Sequence, residues 1–282
     1  MKKVEFAFAG LYDTVASYGL TVKTSSHEDY DNKLIDFKNA KSELKLDAIN
    51  RVKQSSNPEI NTVVQLAASE EHRENFSLTN INSAAKGLQI FLPGVHSDVG
   101  GSYNDNEEED LVLRRFSKPP KIGKAIKRQD FFTEKAMLNR DKAQLVKEGW
   151  FSEEQCYIHE NTNSIKLVAK RRVKSKAYSY IPLGLMVGYA EKTGIVVKDK
   201  LKIKYQVPSS LISVKNSIES YIETLVSQQR RSAIEDWQYY HESRNWQCAL
   251  RKDYLHFSAQ HSIGMKPRIS GASKRVRKTY AG

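Results

Sequence analysis

The chain has 282 residues, 39% hydrophobic and 10% aromatic, which is enough apolar material for one large or two small cores and too much for a chain disordered throughout. A mean hydropathy of -0.59, and the breaks that Pro182, Gly184 and Gly188 put into the longest apolar stretch, Ile181 to Ala190, argue against a membrane-spanning protein. Lys and Arg number 45 against 33 Asp and Glu, and the net charge of +12 favours polyanionic partners, either nucleic acid or an anionic lipid surface.

Met1-Lys2-Lys3 is followed by only a short apolar segment, so no secretory signal peptide is expected. Val4 to Ala9, closed by Gly10, reads as a strand that delivers Tyr12-Asp13-Thr14-Val15 into a loop. Thr24 to Lys33 reads as loop. Asn61 to Glu74, with Val63, Val64, Leu66 and Ala67 at helical spacing, predicts a helix. Leu88 to Leu92 is a second short strand, ending in the glycine-dense loop Gly94 to Gly101. From Leu111 the texture changes. A charged helix is expected over Phe131 to Trp150, a strand over Ile165 to Val173, an apolar helix over Pro182 to Thr193 and an amphipathic helix over Val214 to Gln229. Tyr239 to His261 interleaves aromatics with His241, His256 and His261. Strand, loop, helix, strand, loop and helices in succession imply α/β architecture, without internal repeats.

Two cysteines, Cys156 and Cys248, form neither a disulfide framework nor a zinc spacing and fit a reducing compartment. The charge is unevenly spread. Arg114, Arg115, Lys118, Lys121, Lys124, Lys127 and Arg128 have no acid among them, and neither do Lys266, Arg268, Lys274, Arg275, Arg277 and Lys278. These runs are either solvated faces or contacts for an anionic surface. Asp105 to Asp110 is almost wholly acidic.

Reactive groups of open α/β sheets sit in loops leaving the carboxyl ends of strands, and two such loops carry Asp13 and His96. An acid followed by a histidine is the order of the last two members of a Ser-Asp-His triad, in which the histidine takes the serine proton and the carboxylate fixes its tautomer. Gly100-Gly101 would permit positive φ in the histidine loop. Alternatives stay open on pattern alone: His96 as a structural residue, Asp13 as a turn or cap residue, and His96 with Asp98 as part of a metal site whose third ligand is not evident.

Phe8-Ala9-Gly10-Leu11-Tyr12-Asp13-Thr14-Val15-Ala16-Ser17 and Phe91-Leu92-Pro93-Gly94-Val95-His96-Ser97-Asp98-Val99-Gly100-Gly101-Ser102-Tyr103 resemble the type VI secretion phospholipase effectors, which are α/β-hydrolases. Ala67 to Phe76 is similar to a helix of that family, with Glu70 standing where an aspartate is usual. Tyr180 to Met186 and Asp253 to Ser258 are similar to later segments.

The resemblance implies hydrolysis of phospholipid esters, with Asp13 as triad acid, His96 as general base, and Asp98, Gly100 and Gly101 shaping the histidine loop. It implies no cofactor and no metal. The family's Gly-x-Ser-x-Gly nucleophile elbow precedes the Asp-Thr-Val strand, and no such frame occurs in these 282 residues. The expectation is therefore an incomplete α/β-hydrolase-like sheet lacking its N-terminal strands and elbow. Residues 1–112 would be the C-terminal part of the catalytic domain and 113–282 a mostly helical, basic extension. Alone, such a chain is expected to be inactive and poorly soluble, with exposed sheet edges.

Arg114, Arg115, Lys118, Lys121, Lys124, Lys274, Arg275, Arg277 and Lys278 would then meet anionic headgroups, and Trp237, Tyr239, Tyr240, Trp246 and Tyr254 suit either an interface or a core. Expected partners are the phospholipid surface, a spike protein of the secretion apparatus and an immunity protein. The chain would be cytoplasmic in the producing bacterium until delivered into a target cell. The alternative is a non-catalytic remnant or a basic interaction module for anionic lipid or nucleic acid. The nucleic-acid version rests on charge alone, with no recognised binding motif beside it.

Overall fold

The computed structural model describes residues 7–15, 62–81, 87–118, 128–227, 246–270 and 274–280. The expected strand residues Val4 to Phe6, the loop Thr24 to Lys33, and Lys121, Lys124, Trp237, Tyr239 and Tyr240 lie outside the described residues.

Strands β1 (Ala9–Tyr12), β2 (Val63–Ala68) and β4 (Gly87–Leu92) form a parallel sheet in the order β1-β2-β4. The expected helix at Asn61 to Glu74 is thus corrected to the central strand of this sheet. All six residues of β2 are buried. A central parallel strand is covered on both faces and loses the in-out alternation that marks a strand, so apolar residues at 63, 64, 66 and 67 imitate helical spacing. The one polar member, Gln65, donates from Nε2 to Gln89 Oε1 at 2.6 Å and to the Thr79 carbonyl at 3.0 Å, while its own Oε1 is buried without a hydrogen bond. Helix Tyr180–Glu191 packs on β2 and buries Ile181, Pro182 and Met186.

Strand β5 (Glu107–Ser117) pairs antiparallel with β7 (Ser164–Val173), which pairs antiparallel with β6 (Cys156–Glu160). This second sheet contains the strand expected over Ile165 to Val173, and the expected boundary at 112/113 falls inside β5. The acidic run meets a basic one in register: Glu108 opposite Arg172, Glu109 opposite Arg171, Asp110 opposite Lys170. The outer pairs are exposed and contribute little. The inner pair, Arg171 with Glu109 at 2.5 Å, is buried. Its desolvation is offset because Arg171 also donates to the carbonyls of Trp150, Arg251 and Leu255, while Glu109 accepts from the Phe257 amide at 2.7 Å. These bonds tie the second sheet to the C-terminal segment.

Helix Arg128–Lys147 packs against β6 and β7. Helix Ile212–Ser227 buries Val214, Ile218, Tyr221, Ile222 and Leu225, the stripe expected from its spacing. After helix Trp246–Asp253 the chain returns to the first sheet. The Arg268 amide donates to the His72 carbonyl, and the short strand Thr279–Tyr280 runs parallel to β3 (Leu78–Thr79).

Candidate active site

Because β1, β2 and β4 are parallel, their carboxyl ends lie at one edge of the sheet, and three short loops meet there. Asp13 follows β1, Glu70 and Glu71 follow β2, and His96 follows β4. Asp13 is fully buried and has a φ of 46°, a backbone region uncommon for a residue with a side chain. Its carboxylate accepts four hydrogen bonds. Oδ1 takes the Ala68 amide at 2.7 Å and Arg277 Nη1 at 2.5 Å; Oδ2 takes Arg277 Nη2 at 2.9 Å and lies 2.8 Å from His96 Nδ1. Burial alone would push this carboxyl up. The Arg277 guanidinium, with hydrogen bonds from His96 and Arg277, more than offsets it and holds the pKa at about 2. Asp13 is therefore a carboxylate at neutral pH, and neutral His96 carries its proton on Nδ1. Nε2 is left as the basic nitrogen.

The histidine loop is a five-residue helix, His96–Gly100, where the sequence suggested irregular loop. Gly94 before it has φ 96°, and a Cβ there would fall 2.8 Å from that of Asp98, so both conformation and space require glycine. The His96 amide donates to Glu71 Oε2 at 3.2 Å, and the ring meets Phe76 edge-on at 5.4 Å between centroids. Glu71 is itself held by Arg73 and by Ser258 Oγ. Glu70 accepts the Gly94 amide and is clamped by Arg251. The His96 side chain remains 31% exposed while Asp13 is sealed beneath it.

Asp98 does not point toward His96's partner. It accepts from the Val95 amide at 3.0 Å, which ties the helix start, and sits 2.7 Å from His256 Nδ1, with both side chains buried. Burial pushes its pKa up, opposed by the bond from His256. Tyr103 stacks on the His256 ring. Gly101 is the left-handed helix cap with φ 76°. Of the two glycines expected to permit positive φ in this loop, Gly101 adopts it and Gly100 does not. No group of three or more His, Cys, Asp or Glu placed to hold a metal occurs among the described residues.

The basic residues expected on a surface divide. Arg277 is corrected outright: its side chain is 4% exposed and spent on Asp13 and on the carbonyls of Ala68 and Phe76. Arg275 pairs with Glu148, Arg114 with Asp141 and Lys118 with Glu160. Arg115 is exposed, Lys278 is partly buried and Lys274 lies in the short strand Lys274–Arg275. Sequence reasoning missed Arg277, Glu71 and Arg251 as parts of this edge. Arg277 and Asp13 are 264 residues apart, and only the fold brings them together.

Residues 1–121 match the family model of the type VI secretion phospholipase effectors, Tle1-like catalytic domain. The family that the two loop motifs resemble is the one matched, and both Asp13 and His96 fall in the matched stretch. Among solved structures, the chain is similar to the Tle1 effector bound to the VgrG spike of the type 6 secretion system, with a TM-score of 0.55 and 18% identity. That likeness, a likeness of fold, covers 99% of this chain and 58% of the Tle1 chain. The curated proteins contain no match.

Proposed function

We propose that this Tle1-like chain supplies the acid and the base of a serine-type hydrolase acting on carboxylic esters of phospholipid. The observation that carries the reading is the 2.8 Å contact of His96 Nδ1 with buried Asp13, at the carboxyl edge of a parallel sheet and within the matched stretch. In the proposed reaction His96 Nε2 takes the proton of a serine hydroxyl as it attacks the ester carbonyl. Asp13 stays ionised against the imidazolium, and the proton then passes to the leaving alcohol. A second water-driven round releases the fatty acid.

The 282 residues contain no Gly-x-Ser-x-Gly elbow, and we assign the nucleophile to a polypeptide segment outside them. Lipid contact is assigned to the exposed stretch around Val196, Leu201 and Ile203, which is interleaved with Lys198, Lys200 and Lys204. By analogy with the spike-bound relative, delivery by a type VI apparatus and a spike partner are part of the proposal, and an immunity protein is the expected counterpart. The alternative of a basic interaction module loses support from the internal engagement of Arg275 and Arg277.

Fatty-acid release from phospholipid vesicles tests the reading. The chain alone should release none above background. Mixed with a polypeptide carrying the Gly-x-Ser-x-Gly elbow, it should release fatty acid. Failure of every such mixture to do so, with both parts folded, would refute the assignment.

A further inference from the structure

The segment 274–280 enters the candidate site. From Arg268 onward the backbone is stitched to the loops after β2: the Arg268 amide to the His72 carbonyl, and the Leu78 amide to the Lys278 carbonyl. Between these anchors Arg277 turns inward. Its Nη1 and Nη2 take the two oxygens of Asp13 as a fork, Nη1 also donates to the Ala68 carbonyl at 2.9 Å, and Nε donates to the Phe76 carbonyl at 2.9 Å. With the Ala68 amide on Oδ1, every acceptor direction but one is filled by rigid donors, and the remaining one, on Oδ2, faces His96. An isolated aspartate can rotate about its terminal torsion; this one is held.

We propose that Arg277 is the positioning residue of the Asp13–His96 pair: it orients the carboxylate toward His96 Nδ1 and keeps it ionised, so that a proton arriving on Nε2 stays on the imidazole. The proposal rests on the reading of Asp13 and His96 as acid and base, but the bond pattern behind it does not depend on turnover. The consequence is that the site is complete only when residues 274–280 are docked. The charged groups facing the pair are Arg277 and His96 themselves, with Glu71 acting on the guanidinium from the loop after β2. Desolvation alone would favour protonated Asp13, and the cation reverses that preference.

The test follows the Asp13 side-chain carboxyl carbon by NMR in aspartate-labelled protein over pH 3 to 8, together with the His96 ring nitrogens. In the wild-type chain Asp13 should show no titration step while the protein remains folded, and His96 should hold its proton on Nδ1. In Arg277→Gln the Asp13 step should enter the folded range, raised by about 1 to 3 units, and the tautomer preference should weaken. Arg277→Lys, which keeps the charge without the fork, should restore ionisation but not the ring order. A residue that only braced the tail would lower stability and leave the Asp13 step where it was, and that result in folded Arg277→Gln overturns the proposal. If Arg277→Gln does not fold, the wild-type titration decides: a folded-state Asp13 step at or above the ordinary carboxylate value of about 4 refutes it. None of these readouts requires lipid hydrolysis, so they separate this proposal from the hydrolase reading.

Discussion

Among the described residues two aspartate–histidine pairs share nearly the same bond, Asp13–His96 at 2.8 Å and Asp98–His256 at 2.7 Å. They differ in what surrounds them. His96 is 31% exposed above a sealed carboxylate that an arginine neutralises, whereas His256 is 1% exposed, stacked under Tyr103, with Nε2 buried and without a hydrogen bond. Hydrogen-bond geometry alone does not mark a reactive pair. A base needs one nitrogen held and the other reachable, and only His96 meets both conditions. The second pair fastens the His96 helix to the C-terminal segment, because Asp98 joins the Val95 amide to the His256 amide and ring.

Removing one member of each pair should break the comparison most visibly. Asp98→Ala leaves a buried histidine and two buried amides without their acceptor, and in urea titration it should cost about 3 to 5 kcal/mol or prevent folding. His96→Ala deletes a partly exposed ring with one side-chain bond and should cost about 1 kcal/mol or less. Equal losses would mean that both pairs are structural.

Acid unfolding sharpens the comparison with a third histidine. His72 is half-buried, with Nδ1 buried and without a hydrogen bond, and desolvation, aided by Arg275, holds its pKa down at about 3 against an ordinary value of 6.5. The unfolded chain takes a proton below pH 6.5 that the native state refuses until about 3. Stability should therefore fall through that window by about 1.4 kcal/mol per pH unit. The contribution of Asp13 has the other form. Its folded pKa of about 2 lies below the ordinary 3.8, so its stabilisation is intact above that value and lost only as the pH drops toward 2. His72→Gln should flatten the slope between pH 6.5 and 3, and an unchanged slope would remove His72 as its cause. The smallest expected effect is in the histidine loop. Gly101→Ala, at φ 76°, should cost about 1 kcal/mol, and Gly100→Ala, which meets open space, less than half that.

Asp13 and His96 were legible because each follows a short apolar strand within a distinctive loop motif, and chain order suffices to place strand ends together in a parallel sheet. β2 was not, since burial on both faces erased its alternation. The second sheet was half legible: the acids at 107–110 and the bases at 170–172 appear as separate charge runs, and antiparallel pairing turns them into cross-strand partners. Arg277 stood in an acid-free tail, where local charge favours solvent, and its partner lay at the other end of the chain. Local patterns cannot report a contact of that range.

In the proposed reaction His96 is the base and His256 is not. The most direct measurement is fatty-acid release from phospholipid vesicles by the chain in its elbow-supplemented mixture, comparing His96→Ala with the parent. A loss of about a thousandfold or more is predicted, with stability lowered by no more than about 1 kcal/mol. Undiminished release from folded His96→Ala would contradict it.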